Sequence, residues 1–154
     1  MKQISKTTFA VALMLLLEAC SWQEYFIIKN NSTSDIVLTY TLSVADGFPL
    51  FDATTTAYSS TSSGEIDWAK SVHVEDQDTS LLGLQFTLPP KCNLVIGYLH
   101  NDRYSNAKQQ FINNRVFNFE RMEIKKKDGK QIITKDNFDS YFKKNDGIIK
   151  YEIN

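Results

Sequence analysis

Two histidines and one acidic run are the residues of this chain whose types and spacing could do chemistry. His73 and Glu75 stand two positions apart, so on an extended strand they share a face, as two ligands of one metal would. A catalytic zinc takes three protein ligands, and the third here would be the distant His100 or an unplaced carboxylate. Nothing in the spacing requires that assembly. By strand parity His73 joins Glu65 and Asp67 on a polar face, where a solvated imidazole is the expectation. In the run Glu75-Asp76-Gln77-Asp78-Thr79-Ser80, the residues Asp76, Asp78 and Ser80 match the first, third and fifth positions of an EF-hand loop. Leu81 stands where that loop needs glycine and Thr87 where it closes on glutamate. A hydrated hairpin loop is therefore expected at residues 75–80. There is no Gly-x-Ser-x-Gly elbow, no glycine-rich phosphate loop and no cysteine-pair metal motif. Cys92 lies on the apolar parity of its segment and reads as a buried thiol. No catalytic residue, metal or cofactor is expected.

The first twenty residues carry a different message. Lys2 and Lys6 precede an uninterrupted apolar run from Phe9 to Leu17, and Ala19 stands directly before Cys20. This is the layout of a cleavable secretory signal. The run is too short to span a hydrocarbon core, which needs about 20 residues, and no later segment is longer. The sequence Leu17-Glu18-Ala19-Cys20 resembles the lipobox of bacterial lipoproteins, from which Glu18 departs. That resemblance implies a signal peptide over residues 1–19, cleavage before Cys20, a diacylglycerol thioether on its sulfur and an acylated amino terminus. A triacylated cysteine exceeds the two hydrophobic signals that stable attachment takes. Trp22 follows closely enough to sit at headgroup level or to pack on the domain. Ordinary secretion with a free Cys20 is the alternative.

Composition bounds the rest. The 154-residue chain carries 17 Lys and Arg against 18 Asp and Glu, for a net charge of −1. Loss of Lys2, Lys6 and Glu18 with the leader makes the remainder slightly more acidic. Such a balance argues against nucleic acid as the main partner, since that binding rests on neutralising phosphates. Residues 121–150 are locally basic. They suit an anionic lipid face, an acidic partner or a solvated hairpin end. Residues 20–154 suit one domain with a core of its own. With Cys20 lipidated, Cys92 has no partner for an internal disulfide.

Strand-like alternation recurs without repeats or long helical patterns. Segment 24–29 reads as a first strand, and Ile36 to Val44 alternates apolar with hydroxylated residues, as a half-buried strand does. The polar stretch 53–64 reads as a loop, and 66–74 as a strand or, at Asp67 to Ser71, a short helical turn. Leu82 to Leu88 and Cys92 to Tyr98 read as a hairpin around Pro89-Pro90-Lys91, because proline cannot donate to a ladder. The parity change between Phe117/Phe119 and Met122/Ile124 suggests a β-bulge or a strand buried on both faces. Lys127-Asp128-Gly129-Lys130 is a hairpin turn leading to Ile132-Ile133. Asp136 offers an N-cap to a short helix presenting Phe138, Tyr141 and Phe142 on one face, stopped by Gly147. Ile149, Tyr151 and Ile153 close the chain in a strand.

These elements, seven or so strands and one short C-terminal helix, define an all-β chain and favour an antiparallel β-sandwich, immunoglobulin-like in general architecture. The whole is similar in layout to small lipoproteins of Gram-negative bacteria. The expectation is a non-enzymatic binding or assembly-support module of the cell envelope, held to a membrane through lipidated Cys20, with an envelope protein or glycan as partner. Its binding surface is expected on loops 53–64 and 100–114, with Tyr58, Arg103 and Tyr104 as contact residues, aromatics and arginine being enriched at interfaces. A periplasmic inhibitor or immunity-type lipoprotein and, further off, a metal-dependent enzyme using His73, Glu75 and His100 are the alternatives.

Overall fold

The computed structural model describes residues 21–154 except Glu75, Leu81, Leu82, Ala107, Lys127 and Asp128. The signal segment, Cys20, the residues of the 127–128 turn and one candidate metal ligand, Glu75, therefore lie outside the described residues. Among the described residues thirteen strands form: β1 (Gln23–Asn30), β2 (Ile36–Leu42), β3 (Phe48–Pro49), β4 (Phe51–Ser60), β5 (Ile66–Val72), β6 (Asp76–Ser80), β7 (Gly83–Leu88), β8 (Cys92–His100), β9 (Arg115–Val116), β10 (Phe119–Lys126), β11 (Gly129–Thr134), β12 (Lys143–Asn145) and β13 (Ile148–Ile153). One helical turn, α1 (Phe138–Tyr141), follows a 3-10 turn at Lys135–Asn137. The strands build a six-stranded sheet, β12-β13-β1-β8-β4-β5, a five-stranded sheet, β11-β10-β2-β7-β6, and a short β3-β9 pair.

The sandwich is all-β, as its alternating patterns require, and mostly antiparallel. The parallel pairs β1-β13 and β3-β9 are the exceptions. Burial of β2 alternates cleanly, with Ile36, Leu38, Tyr40 and Leu42 inside. These residues join Phe26 and Ile28 of β1, Phe86 of β7, Leu94 of β8 and Ile149 of β13 in one core cluster drawn from both sheets. Val44 lies beyond the strand and is exposed. The bulge expected near Phe119 is present: β10 shifts register against β2 between Phe119 and Arg121. The β10-β11 hairpin and the shared face of Phe138 and Phe142, both buried, also form as expected.

Several expectations are corrected. Residues 53–60 belong to strand β4, not a loop, and from Ala57 onward β4 pairs with both β8 and β5. Threonine and tyrosine are good strand formers whatever their polarity, and a strand with two neighbours has its backbone satisfied from both sides. Only Thr61 to Gly64 turn, closed by the Gly64 N–H donating to the Thr61 carbonyl at 2.9 Å. The segment 66–72 is strand β5, with no helical turn.

Strands β7 and β8 do not form a hairpin either. They belong to opposite sheets, and Pro89-Pro90-Lys91 crosses between them. Leu88 and Cys92 are both buried, so each end of the crossing faces the core. Buried Asn30 fastens it, its side-chain amide donating to the carbonyls of Leu88 and Pro89, each at 3.0 Å. The acidic run, expected as a hairpin loop, places Asp76 to Ser80 in edge strand β6 against β7.

Asn137 rather than Asp136 stands at the N-cap of α1, and Thr134 caps the preceding 3-10 turn, its N–H donating to Asn137 Oδ1 at 2.7 Å. The helix ends at Tyr141, and Gly147 instead turns β12 into β13 with a φ of 78°.

Candidate functional site

The expected contact residues are not brought together. Tyr104 is 2% exposed and belongs to the core, edge-on to Phe26 at 5.1 Å and stacked on Phe117 at 5.8 Å. Its hydroxyl donates to Asp139 Oδ1 at 2.8 Å. Burial, then that hydrogen bond and the Asp139 charge, push its pKa far up. Arg103 is solvated and lies over Trp22, 5.9 Å from the ring centroid, at the end of the sandwich where β1 begins. Tyr58 stands on β4, in a different place.

That place is a cleft on the outer face of the six-stranded sheet. Its construction begins in β1, where Phe26 and Ile28 point into the core and Tyr25 and Ile27 therefore point out. Ile27 is fully buried yet stands outside the main core cluster. On β4, Ala57 faces in and Tyr58 out by the same rule. Trp68 should share the parity of Val72, which packs on the core. It does not, because the β4-β5 register jumps from Tyr58↔Ser71 to Ser60↔Ile66. The irregularity turns the indole outward between two tyrosines. Its ring lies 4.8 Å from Tyr25 and 5.2 Å from Tyr58, at interplanar angles of 43° and 62°, and the residue remains 46% exposed.

A second irregularity opens the space beside these rings. Strands β4 and β8 pair at Phe51↔Gly97 and next at Thr56↔Val95, so β4 bulges over the intervening residues. Gly97 permits this close approach: a Cβ there would lie 3.2 Å from the Phe51 ring and 3.3 Å from the Leu50 carbonyl oxygen. The resulting cleft of about 390 Å³ is lined by Tyr25, Tyr58, Trp68 and Tyr98, with Asp52, Thr56 and Arg115 supplying polar groups. Arg115 Nη1 donates to the Pro49 carbonyl at 3.4 Å, and its Nε lies 3.9 Å from Asp102 Oδ2. A guanidinium has five donors, and these contacts use only part of the set.

Asp102 orders the segment that carries Arg115. Fully buried, its Oδ1 accepts the N–H groups of Arg103 and Ile112 at 2.7 Å and of Asn113 at 3.3 Å. Sequence reasoning missed Asp102, Trp68, Tyr25, Tyr98 and Arg115. The signal available was Trp68 itself, a large aromatic on an otherwise polar segment. The turn that exposes it depends on a register shift that no local pattern encodes.

The other candidate chemistry does not assemble among the described residues. His73 and His100 are both exposed, one just beyond edge strand β5 and the other at the end of β8. No group of three His, Cys, Asp or Glu side chains able to hold a metal occurs among the described residues. Cys92 is buried and free, its pKa raised by burial against a smaller opposing effect of Lys70. It begins β8, whereas Trp22 is hydrogen-bonded to Asn101 beyond the other end of that strand.

Fold and cleft together define a β-sandwich with an aromatic recess on one outer face. No family model, curated protein or solved structure matches this chain.

Proposed function

We propose that the chain is a non-enzymatic binding module of a Gram-negative cell envelope, anchored through lipidated Cys20, and that the cleft around Trp68 takes a glycan. The observation that carries this reading is the indole held half-exposed between Tyr25 and Tyr58. Rigid aromatic side chains give large contact area at little entropic cost, and the apolar face of a pyranose ring suits them. Sugar hydroxyls suit the rest of the lining: they donate to carboxylates and accept from guanidinium groups, and Asp52, Thr56 and Arg115 are of those types. A recess with aromatic walls and a few convergent polar groups is the usual form of a small-ligand site. The anchor rests on the lipobox-like Leu17-Glu18-Ala19-Cys20.

Two measurements test the two halves. Intact mass of membrane-extracted protein should show a chain beginning at residue 20 with added acyl mass, absent from Cys20→Ala. Tryptophan emission of the Trp22→Phe protein, which reports Trp68 alone, should change saturably with at least one soluble glucose, mannose or N-acetylglucosamine oligosaccharide. No response across that panel would count against a glycan.

A further inference from the structure

Where the chain enters the sandwich determines how the anchored domain must sit. Trp22 is fixed to the domain: its N–H donates to Asn101 Oδ1 at 3.3 Å, its carbonyl accepts from the Asn101 N–H at 3.0 Å, and its indole N–H donates to the Asp102 carbonyl at 2.9 Å. Only Ser21 separates it from Cys20. A cysteine sulfur joined by a thioether to diacylglycerol lies at headgroup level, and two residues extend ~7 Å at most. The anchor therefore leaves no tether on which the domain could stand away from the bilayer.

The surface at that end is apolar. Ile112, 63% exposed, hangs from Asp102 Oδ1, and Phe48, 75% exposed, pairs with Arg115. Val44, 80% exposed, follows Ser43, whose N–H donates to the Asn118 carbonyl at 2.8 Å. Asn118 in turn holds Phe51, the first residue of β4, beside Gly97 near the end of β8. These bonds tie the segments 43–50 and 101–118 to the end where β1 starts. With Trp22, they supply four of the seven large apolar residues that are exposed among the described residues. Arg103 and Arg115 stand among them, with Asp46 as an acidic neighbour in the 43–49 segment. Exposed large apolar groups gathered at one end, with an indole and arginines, are what a bilayer interface accepts.

We infer that this end of the sandwich, presenting Trp22, Val44, Phe48 and Ile112, is a membrane-seating surface that inserts into the headgroup layer. The inference rests on the lipid-anchor reading.

The two tryptophans make the test direct. Full-length protein, processed and extracted from membranes, is reconstituted into phosphatidylethanolamine–phosphatidylglycerol vesicles with and without brominated acyl chains. In Trp68→Phe, bromine should reduce Trp22 emission about twofold or more, as expected for an indole at the interface. In Trp22→Phe, Trp68 emission should not change. Phe48→Ser with Ile112→Ser, both at exposed positions, should restore most of the Trp22 emission while the protein stays vesicle-bound. Unquenched Trp22 on protein whose mass shows the acyl chains overturns the seating and leaves the anchor standing. Protein without acyl mass overturns the anchor, and the seating with it.

Discussion

The side-chain amide of Asn118 closes a two-point clamp on the backbone of Phe51, donating to its carbonyl at 2.8 Å and accepting its N–H at 2.9 Å. Both bonds are buried. Phe51 lies where β4 departs from β8, and its ring meets Phe26 and Phe117, each at 5.3 Å, so the clamp joins the cleft's bulge to the aromatic core. Removing it strands two buried backbone groups, each at about 1–3 kcal/mol. Asn118→Ala should therefore lower unfolding stability by about 2–6 kcal/mol. A denaturation midpoint within error of wild type would show that the two groups find other partners.

Glu24 provides a second link, between the start of β1 and two distant segments. Its carboxylate accepts the Tyr104 N–H at 2.9 Å and Lys144 Nζ at 2.7 Å, and Lys144 also donates to the Tyr104 carbonyl at 2.9 Å. Glu24 is buried and Lys144 is partly exposed, so the cost of breaking the pair falls below the 3–5 kcal/mol of a fully buried one. Lys144→Met should cost about 1–3 kcal/mol, with much of that recovered in the double variant carrying Glu24→Gln. A double-mutant cycle measures the coupling, and strictly additive losses would deny it.

Tyr104 predicts the alkaline limb of stability. Its folded pKa is raised above the ordinary tyrosine value of 10.0, by burial first and then by Asp139. A raised folded pKa stabilises the folded state fully below the unfolded value, and that contribution is lost as pH climbs above it. Tyr151 is raised by burial in the same direction. Stability should therefore begin to fall as pH passes about 10. Tyr104→Phe should cost about 1 kcal/mol at neutral pH through the bond to Asp139 and give a shallower alkaline decline. The residual slope should fall again with Tyr151→Phe. Parallel slopes in all three proteins would rule Tyr104 out as their source.

Much of the sandwich was legible because strands β2 and β13, and β7 from Leu84 onward, carry their burial in alternation. The bulge at Phe119 was legible for the same reason, as a break in that alternation. The pairing of β7 with β8 was misjudged because two adjacent strands with apolar faces look alike whether they share a sheet or face each other across the core. What decides is the Asn30 amide, donated across 58 residues to Leu88. Residues 53–60 were misread because their polarity was weighed above their strand propensity. The cleft was legible only in part. Tyr58 was singled out, but Trp68 was not, since its orientation follows from the register jump between β4 and β5. Tyr104 was misplaced because an aromatic residue in a polar loop gives no sign that the loop folds back over the core.

The sharpest prediction for the cleft concerns Trp68. Exposed on one side and braced by Tyr25 and Tyr58, its indole contributes little to the core, so Trp68→Ala should leave the fold intact while removing the main stacking surface. Truncation of a central aromatic contact commonly costs ≥2 kcal/mol, or roughly 30-fold in affinity. Calorimetric titration with the oligosaccharide that saturates wild-type protein should show a loss of that order. Tyr58→Ala should lose less, because that ring bears on the ligand partly through the indole it braces. Arg115→Lys should weaken binding with little change in stability, since a lysine keeps the charge but not the guanidinium fork. If Trp68→Ala binds as tightly as wild type, the ligand lies elsewhere and the cleft is an ordinary irregularity of the sheet. If Arg115→Lys instead unfolds the protein, its contacts with Asp102 and Pro49 are structural before they are anything else.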